Sequence, residues 1–285
     1  MSIHTRGLLV SLVIGMPPQS KKIMAASEKV ELDNGTAPNQ AAVVSRLFAK
    51  EDVRELQKAA TAARAFFKKT TLPYSRGVGL MNAANYFEFL SSMTMYKEAF
   101  EREKNRIVDN MEQVLENASR VNGDLFDMKH YPSMLELQEN IMFHIEVTPV
   151  PMANDFDKLA DLSPDEIEKL QQEAVLSQQS KTQAAMRDLF ERLLTTLKHA
   201  AERLSDDETG GCKIFRDTLV SNIEEAIIAA ETLNITDDEE LKKLSDEVKE
   251  IIDGVTAAEL RKDVTLRKET ARKSQELASR IESLF

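Results

Sequence analysis

Tryptophan is absent from this 285-residue chain, and cysteine occurs once, as Cys212. A lone cysteine excludes an intramolecular disulfide framework and a cysteine-built zinc site, and it fits a reducing compartment. Cys212 follows two glycines with no His beside it in sequence, and reads as structural. Histidine is scarce too. His4, His130, His144 and His199 are scattered, and neither His-Glu-x-x-His nor Glu-x-x-His occurs. No apolar run approaches the roughly 18 residues that a membrane-spanning helix needs. Residues 7–16, GLLVSLVIGM, follow Arg6 and imitate a short signal-peptide core, but Ser11 interrupts them and Pro17-Pro18 closes them without a small-residue cleavage site. Their length and β-branched content predict a buried β-strand instead. An excess of positive charge is also missing. The net charge of -11 excludes a uniformly basic nucleic-acid binder, although not a locally basic surface.

What is present is helix-forming material, rich in Ala, Leu, Glu and Lys and poor in Gly and Pro. The expected fold class is mainly α, a long-helix bundle with a small two-stranded β element. Residues 21–30 read as one short helix, and residues 31–40 as a loop broken by Asn34-Gly35 and Pro38. Apolar residues at three- and four-residue spacing predict a helix over 40–70 and a second over 82–120, which Asn122-Gly123 stops. Ser133, with Glu136 three residues on, has the spacing of a capping box. Residues 140–147, NIMFHIEV, alternate with a period of two and predict a strand whose partner is the N-terminal one. Ser163-Pro164-Asp165-Glu166 marks the start of a helix running to about residue 205. A helix over 213–233 follows, and Thr236 caps a last long segment that Gly254 interrupts. Three regions result: 1–39 (strand and linker), 40–157 (helical core with the second strand) and 158–285 (C-terminal helices).

Between the first two long helices lie residues 72–89, LPYSRGVGLMNAANYFEF. Pro73 ends what precedes it, Gly77 and Gly79 admit unusual backbone, and Tyr74, Arg76, Asn82, Asn85 and Tyr86 gather polar groups and ring faces. The stretch suits a functional loop or a pinned helix–helix corner. Arg76-Gly-Val-Gly lacks the Lys-Ser/Thr of a phosphate loop.

Charge is unevenly spread. Residues 46–76 hold 8 bases against 3 acids, residues 205–253 hold 15 acids against 5 bases, and residues 261–280 hold 7 bases against 3 acids. Arg46, Lys50, Arg54 and Lys58 recur every four residues, which on a helix makes one gently drifting stripe. With Lys68, Lys69 and Arg76 beyond it, the stripe suits a phosphate backbone, and Tyr74 and Tyr86 suit the stacking of unpaired bases. The plainer alternative is a solvated face balanced by Glu51, Asp52 and Glu55. Arg261, Lys262, Arg267, Lys268, Arg272 and Lys273 form a second basic strip, for a nucleic-acid backbone or for docking on the acidic stretch before it. Met81, Met93 and Met95 with Phe87 and Phe89 suggest an adaptable apolar patch, which reads as core packing rather than a cofactor pocket, and the His144–Glu146 pair reads as structural. No catalytic constellation and no metal or cofactor site emerges, so no enzymatic activity is expected.

Several motifs resemble an uncharacterised, mostly helical protein family of tailed bacteriophages and related mobile elements. They are the GLLVSL strand, Thr71-Leu72-Pro73-Tyr74, Gly77 to Leu80, Ala84-Asn85-Tyr86-Phe87-Glu88-Phe89, Gly123 to Phe126 with Tyr131-Pro132, and Pro149-Val150-Pro151 with Asp155-Phe156. Their order and spacing agree over residues 7–157, although Tyr74 stands where many members carry Trp. The resemblance implies a viral protein of the host cytoplasm and no particular reaction. Two roles fit it. One is a sequence-tolerant single-stranded DNA binder that supports viral transcription or replication, similar in character to helical cofactors of phage RNA polymerases. The other is a scaffold or adaptor for a MoxR-like AAA+ ATPase and a von Willebrand-type protein, since relatives are encoded beside such genes. A third expectation is an acidic, DNA-mimicking inhibitor of a host enzyme. Long amphipathic helices also suggest a homo-oligomer.

Overall fold

The computed structural model describes residues 3–158, 161–206 and 213–284. The chain opens with α1 (Ile3–Arg6), β1 (Gly7–Ile14), β2 (Ser20–Lys22), α2 (Met24–Asn34), β3 (Val44–Arg46) and α3 (Lys50–Thr70). It continues through β4 (Leu72–Ser75), β5 (Val78–Asn82), α4 (Tyr86–Asp109), α5 (Met111–Asn122), α6 (Met134–Asn140) and β6 (Phe143–Pro149). It ends with α7 (Pro164–Leu204), α8 (Thr218–Thr232), α9 (Glu239–Ile252), α10 (Ala257–Lys262) and α11 (Val264–Glu282). The protein is mainly α, as expected. The β part is larger than the expected pair of strands: a four-stranded sheet in the order β4-β5-β1-β6 and a separate ribbon, β2-β3.

β1 and β6 are neighbours, as their apolar patterns predict. The two added strands come from the supposed corner at 72–82, which is a β-hairpin. Arg76 and Gly77 turn it, with Gly77 at φ +77°, a backbone that favours glycine. Pro73 cannot donate to a ladder, and it is tolerated because β4 is an edge strand, where it faces Gly79. Gly79, Leu80 and Met81 of β5 are all buried, so no alternation betrays the strand.

Other boundaries also move. The helix expected over 40–70 begins only at Lys50. The one expected over 82–120 is two helices, parted at Asn110, whose side-chain amide donates to the Arg106 carbonyl at 2.7 Å. Such local bonding competes with the helical backbone. The C-terminal segment is three helices, capped in turn by Asp238, Thr256 and Asp263, with Gly254 at φ +66° between the first two. Thr236 is not the cap; Asp238 accepts from the Leu241 amide at 2.9 Å. The capping box at Ser133 forms as expected, and Ser163 caps its helix as expected with Pro164 in the first turn, its bond with Glu166 completing a second capping box.

The chain divides into two compact units. One holds Met1–Ser11, Phe67–Phe87 and Val147–Phe285. Its spine is α7, 41 residues and so about 60 Å long. Leu189, Leu193, Leu197, Ala200 and Leu204 recur at three- and four-residue steps and are buried with Leu219, Ile223 and Ile227 of α8, Leu244 and Val248 of α9 and Ile281 of α11. Leu9, Leu72 and Leu80 of the sheet join this core. Arg192 of α7 binds the hairpin's entry, donating to the carbonyls of Thr71 at 2.8 Å and Lys69 at 3.3 Å.

The other unit holds Leu12–Phe66 and Glu88–Glu146. α3 buries Val53, Leu56, Ala60 and Ala63; α4 buries Phe89, Met93, Phe100 and Ile107; α5 buries Met111, Val114 and Ala118. Ring contacts connect its elements: Phe66 to Phe89 at 5.9 Å, Phe66 to Tyr96 at 5.3 Å and Phe100 to Phe143 at 5.5 Å.

Candidate nucleic-acid interface

The exposed cations of the second unit start from a small ribbon. β2 and β3 are antiparallel, with Ser20 opposite Arg46 and Lys22 opposite Val44. The bonds Ile23 N–H to Val43 O at 2.9 Å and Leu47 N–H to Gln19 O at 3.1 Å lengthen the ladder. α2 pins the approach to β3. Ser27 Oγ accepts from the Val43 amide at 3.0 Å, and the Glu31 carboxylate accepts from the Ala41 amide at 3.0 Å. That backbone bond holds the Glu31 carboxyl below its usual range. Asp52 then caps α3 by accepting from the Ala49 amide at 3.1 Å.

This path sets Arg46 and Lys50 on the rims of two adjoining cavities, which share Arg46, Phe48 and Lys50. The larger, about 360 Å³, is walled by Leu47, Phe48, Val114, Ala118 and Val121, with Asn117, Asn122, Glu51 and Asp52. The smaller, about 280 Å³, adds Gln19, Ser20, Val53 and Gln57. Asn122 ties α5 to β3 by donating to the Arg46 carbonyl at 3.1 Å, and Arg106 ties α4 to α3 by donating to the Asp52 carbonyl at 2.9 Å.

Of the expected stripe, Lys50, Arg54 and Lys58 lie exposed along α3, opposite its buried Val53, Leu56 and Ala60. Arg46 is exposed but belongs to β3, so it joins them through the loop and not through helical spacing. Glu55 partly neutralises the row. It is 2.7 Å from Lys58 and 3.9 Å from Arg54, and the Lys58 hydrogen bond is the main cause of its lowered pKa.

Lys68, Lys69, Tyr74, Arg76 and Tyr86 fall in the other unit. Lys68 and Arg76 are exposed, and Lys69 is 2.9 Å from Glu225. Neither tyrosine is an open stacking platform. Tyr74 is half-buried, which pushes its phenol up, and Lys181 Nζ lies 5.4 Å from its ring centroid. Tyr86 is half-buried and meets Phe87 edge-on at 5.3 Å.

The C-terminal basic strip is largely engaged within the chain. Arg267 is buried, 4% exposed, and donates to Asp206 at 2.8 Å, and Lys268 takes the other Asp206 oxygen at 2.8 Å. Arg261 lies 2.7 Å from Asp217 and over the Phe215 ring at 5.1 Å. Lys273 pairs with Glu269 at 3.0 Å, and Arg272 pairs with Glu276 one turn on. Arg280 bridges Glu247 at 2.7 Å. Lys262 is exposed. Asp206, Asp217 and Glu247 belong to the acidic stretch, so docking on it is what several of these cations do.

This pairing carries a pH dependence. The Lys268 hydrogen bond, then that of Arg267, holds the Asp206 carboxyl below its usual range. A depressed carboxylate stabilises the fold above its unfolded pKa and loses that contribution as pH falls through the folded value. The melting temperature of Asp206→Asn is therefore expected to lie furthest below that of the native chain near neutral pH. The difference should shrink as pH falls below the ordinary aspartate range and through the depressed folded value, where the native carboxylate protonates. Thermal melts across that range measure it.

The remaining candidates stay dispersed. His144 and Glu146 are both exposed. Met81, Met93 and Phe89 are core, whereas Phe87 and Met95 are 81% and 69% exposed. Cys212 lies outside the described residues. Among the described residues no group of three or more His, Cys, Asp or Glu is placed to hold a metal ion, and no helix is long and apolar enough to cross a membrane. Comparison with known protein families, curated proteins and solved structures finds no match for this chain.

Lys21, Lys22, Phe48 and Asn117 are absent from the sequence-based site. Three-residue strands carry no measurable period, and the pairing of Ser20 with Arg46 that brings Lys21 and Lys22 to this ribbon joins segments 26 residues apart.

Proposed function

We propose that the protein is a non-enzymatic binder of single-stranded DNA, sequence-tolerant, that supports viral transcription or replication in a host cytoplasm. The observation that carries this reading is the run of exposed cations Arg46, Lys50, Arg54 and Lys58, beginning at the two cavities of the β3–α3 junction. Lys21 and Lys22 lie on the strand paired with β3 and extend it. Cations track phosphates whatever the sequence, and each contact adds salt dependence. Arg267 has no part in this interface, because its charge is held inside the fold.

The charge-reversed variant Arg46→Glu/Lys50→Glu/Arg54→Glu is expected to bind a labelled single-stranded oligonucleotide at least roughly tenfold more weakly at low salt. All three side chains are exposed, so its circular dichroism and melting should match those of the native chain. Unchanged affinity in a folded variant discards the site.

A second reading is an adaptor that binds protein, such as an AAA+ ATPase. What favours it is the exposed apolar series Val121, Leu125, Met128, Met134 and Leu135 within fifteen residues. Co-purification of an ATPase without salt-dependent oligonucleotide binding supports that reading over the first.

A further inference from the structure

We infer that the larger cavity at the β3–α3 junction receives one unstacked base, with Arg46 and Lys50 holding the phosphates beside it, an inference that rests on the single-strand reading above. A nucleotide presents an apolar face, a polar edge and an anionic tether. The cavity offers a partner for each. Phe48, Val114 and Ala118 give it apolar wall, Asn117 contributes a side-chain amide, and the two cations stand where it meets its smaller neighbour. At about 360 Å³ it is small for a ligand site, which suits a single nucleotide unit rather than a larger group.

The charges fix the polarity of entry. Glu51 and Asp52 also line the cavity, so an anion is disfavoured inside it. A neutral base enters, and its phosphates remain at the Arg46 and Lys50 side. The smaller cavity continues from the same cations with Gln19, Ser20 and Gln57, polar groups suited to the adjoining sugar-phosphate. A cation row alone does not distinguish single strand from duplex. A base seat does, because a paired base must first leave its stack.

The test uses the full chain and two labelled strands of equal length in fluorescence anisotropy. One is an oligothymidylate, the other an abasic deoxyribose-phosphate strand. The seat predicts that the base-bearing strand binds about tenfold tighter. Ala118→Leu, which fills the cavity, and Val121→Asp, which charges its mouth, should both abolish that preference; the first leaves abasic binding unchanged, and the second, by adding an anion beside Arg46 and Lys50, lowers the binding of both strands to a common level. Val121 is 77% exposed, so the second variant remains informative where the first is destabilised. Equal binding of the two strands by the native chain overturns the seat and leaves the cation row standing. A preference that survives in both variants also overturns it. Binding of neither strand overturns the seat and the single-strand reading together.

Discussion

Gly15→Ala is expected to destabilise the protein by about 3 kcal/mol, the upper part of the usual range for overpacking. A Cβ at this position would stand 2.1 Å from the Asn140 carbonyl oxygen and 3.0 Å from Met142 Cγ. The first neighbour is backbone and cannot rotate away. Movement is further resisted because the Gly15 amide donates to the Met142 carbonyl at 2.9 Å, which fixes the end of β1 against the chain leaving α6. The cause is contact, so a larger side chain should do more harm. Urea unfolding followed by circular dichroism reads the effect. A loss under about 1 kcal/mol would mean that the two segments separate easily.

The second large effect is expected at Arg267. Arg267→Ala should cost about 2 kcal/mol, because Arg267 is buried and its loss removes both its packing and its pairing with the partly exposed Asp206, which keeps Lys268. Lys262→Ala, at an exposed member of the same basic strip, should stay within about 0.5 kcal/mol. Arg267→Met separates the causes. An apolar chain of similar length can match a buried ion pair in stability, and Arg267 Nε is already buried without a hydrogen-bond partner among the described residues. Arg267→Met should therefore be milder than Arg267→Ala. Equal losses in both would assign the effect to the charge alone. Denaturant midpoints of the three variants decide between these outcomes.

Arg267 also shows where sequence reasoning ends. In the sequence it matches its neighbours Arg261, Lys262 and Lys268, and nothing local marks it as interior. Its burial follows from Asp206, 61 residues earlier, whose position depends on where α7 stops. Local chemistry reads more easily. The capping boxes at Ser133 and Ser163, the burial of one face of α3, and the β1 and β6 strands are set by residues within a few positions of one another. The β4–β5 hairpin was hidden because β5 is buried without alternation and because Pro73 looked like a terminator. The β2–β3 ribbon is too short for any period. Four-residue spacing identified the exposed Lys50, Arg54 and Lys58, and it also picked out Arg46, which reaches them by another path. The cavity beside these cations could not be read, since Phe48 and Ala118 meet across 70 positions of sequence.

The measurement that bears most directly on single-strand binding is a titration of the native chain against one labelled oligonucleotide and its duplex, at low and at moderate salt. Three or four phosphate contacts predict that log affinity falls against log salt with a slope of about -2 to -3. Single-strand binding through the cation row gives that slope together with tighter binding of the single strand. No binding at low salt, or a duplex bound as tightly as the strand, would contradict it.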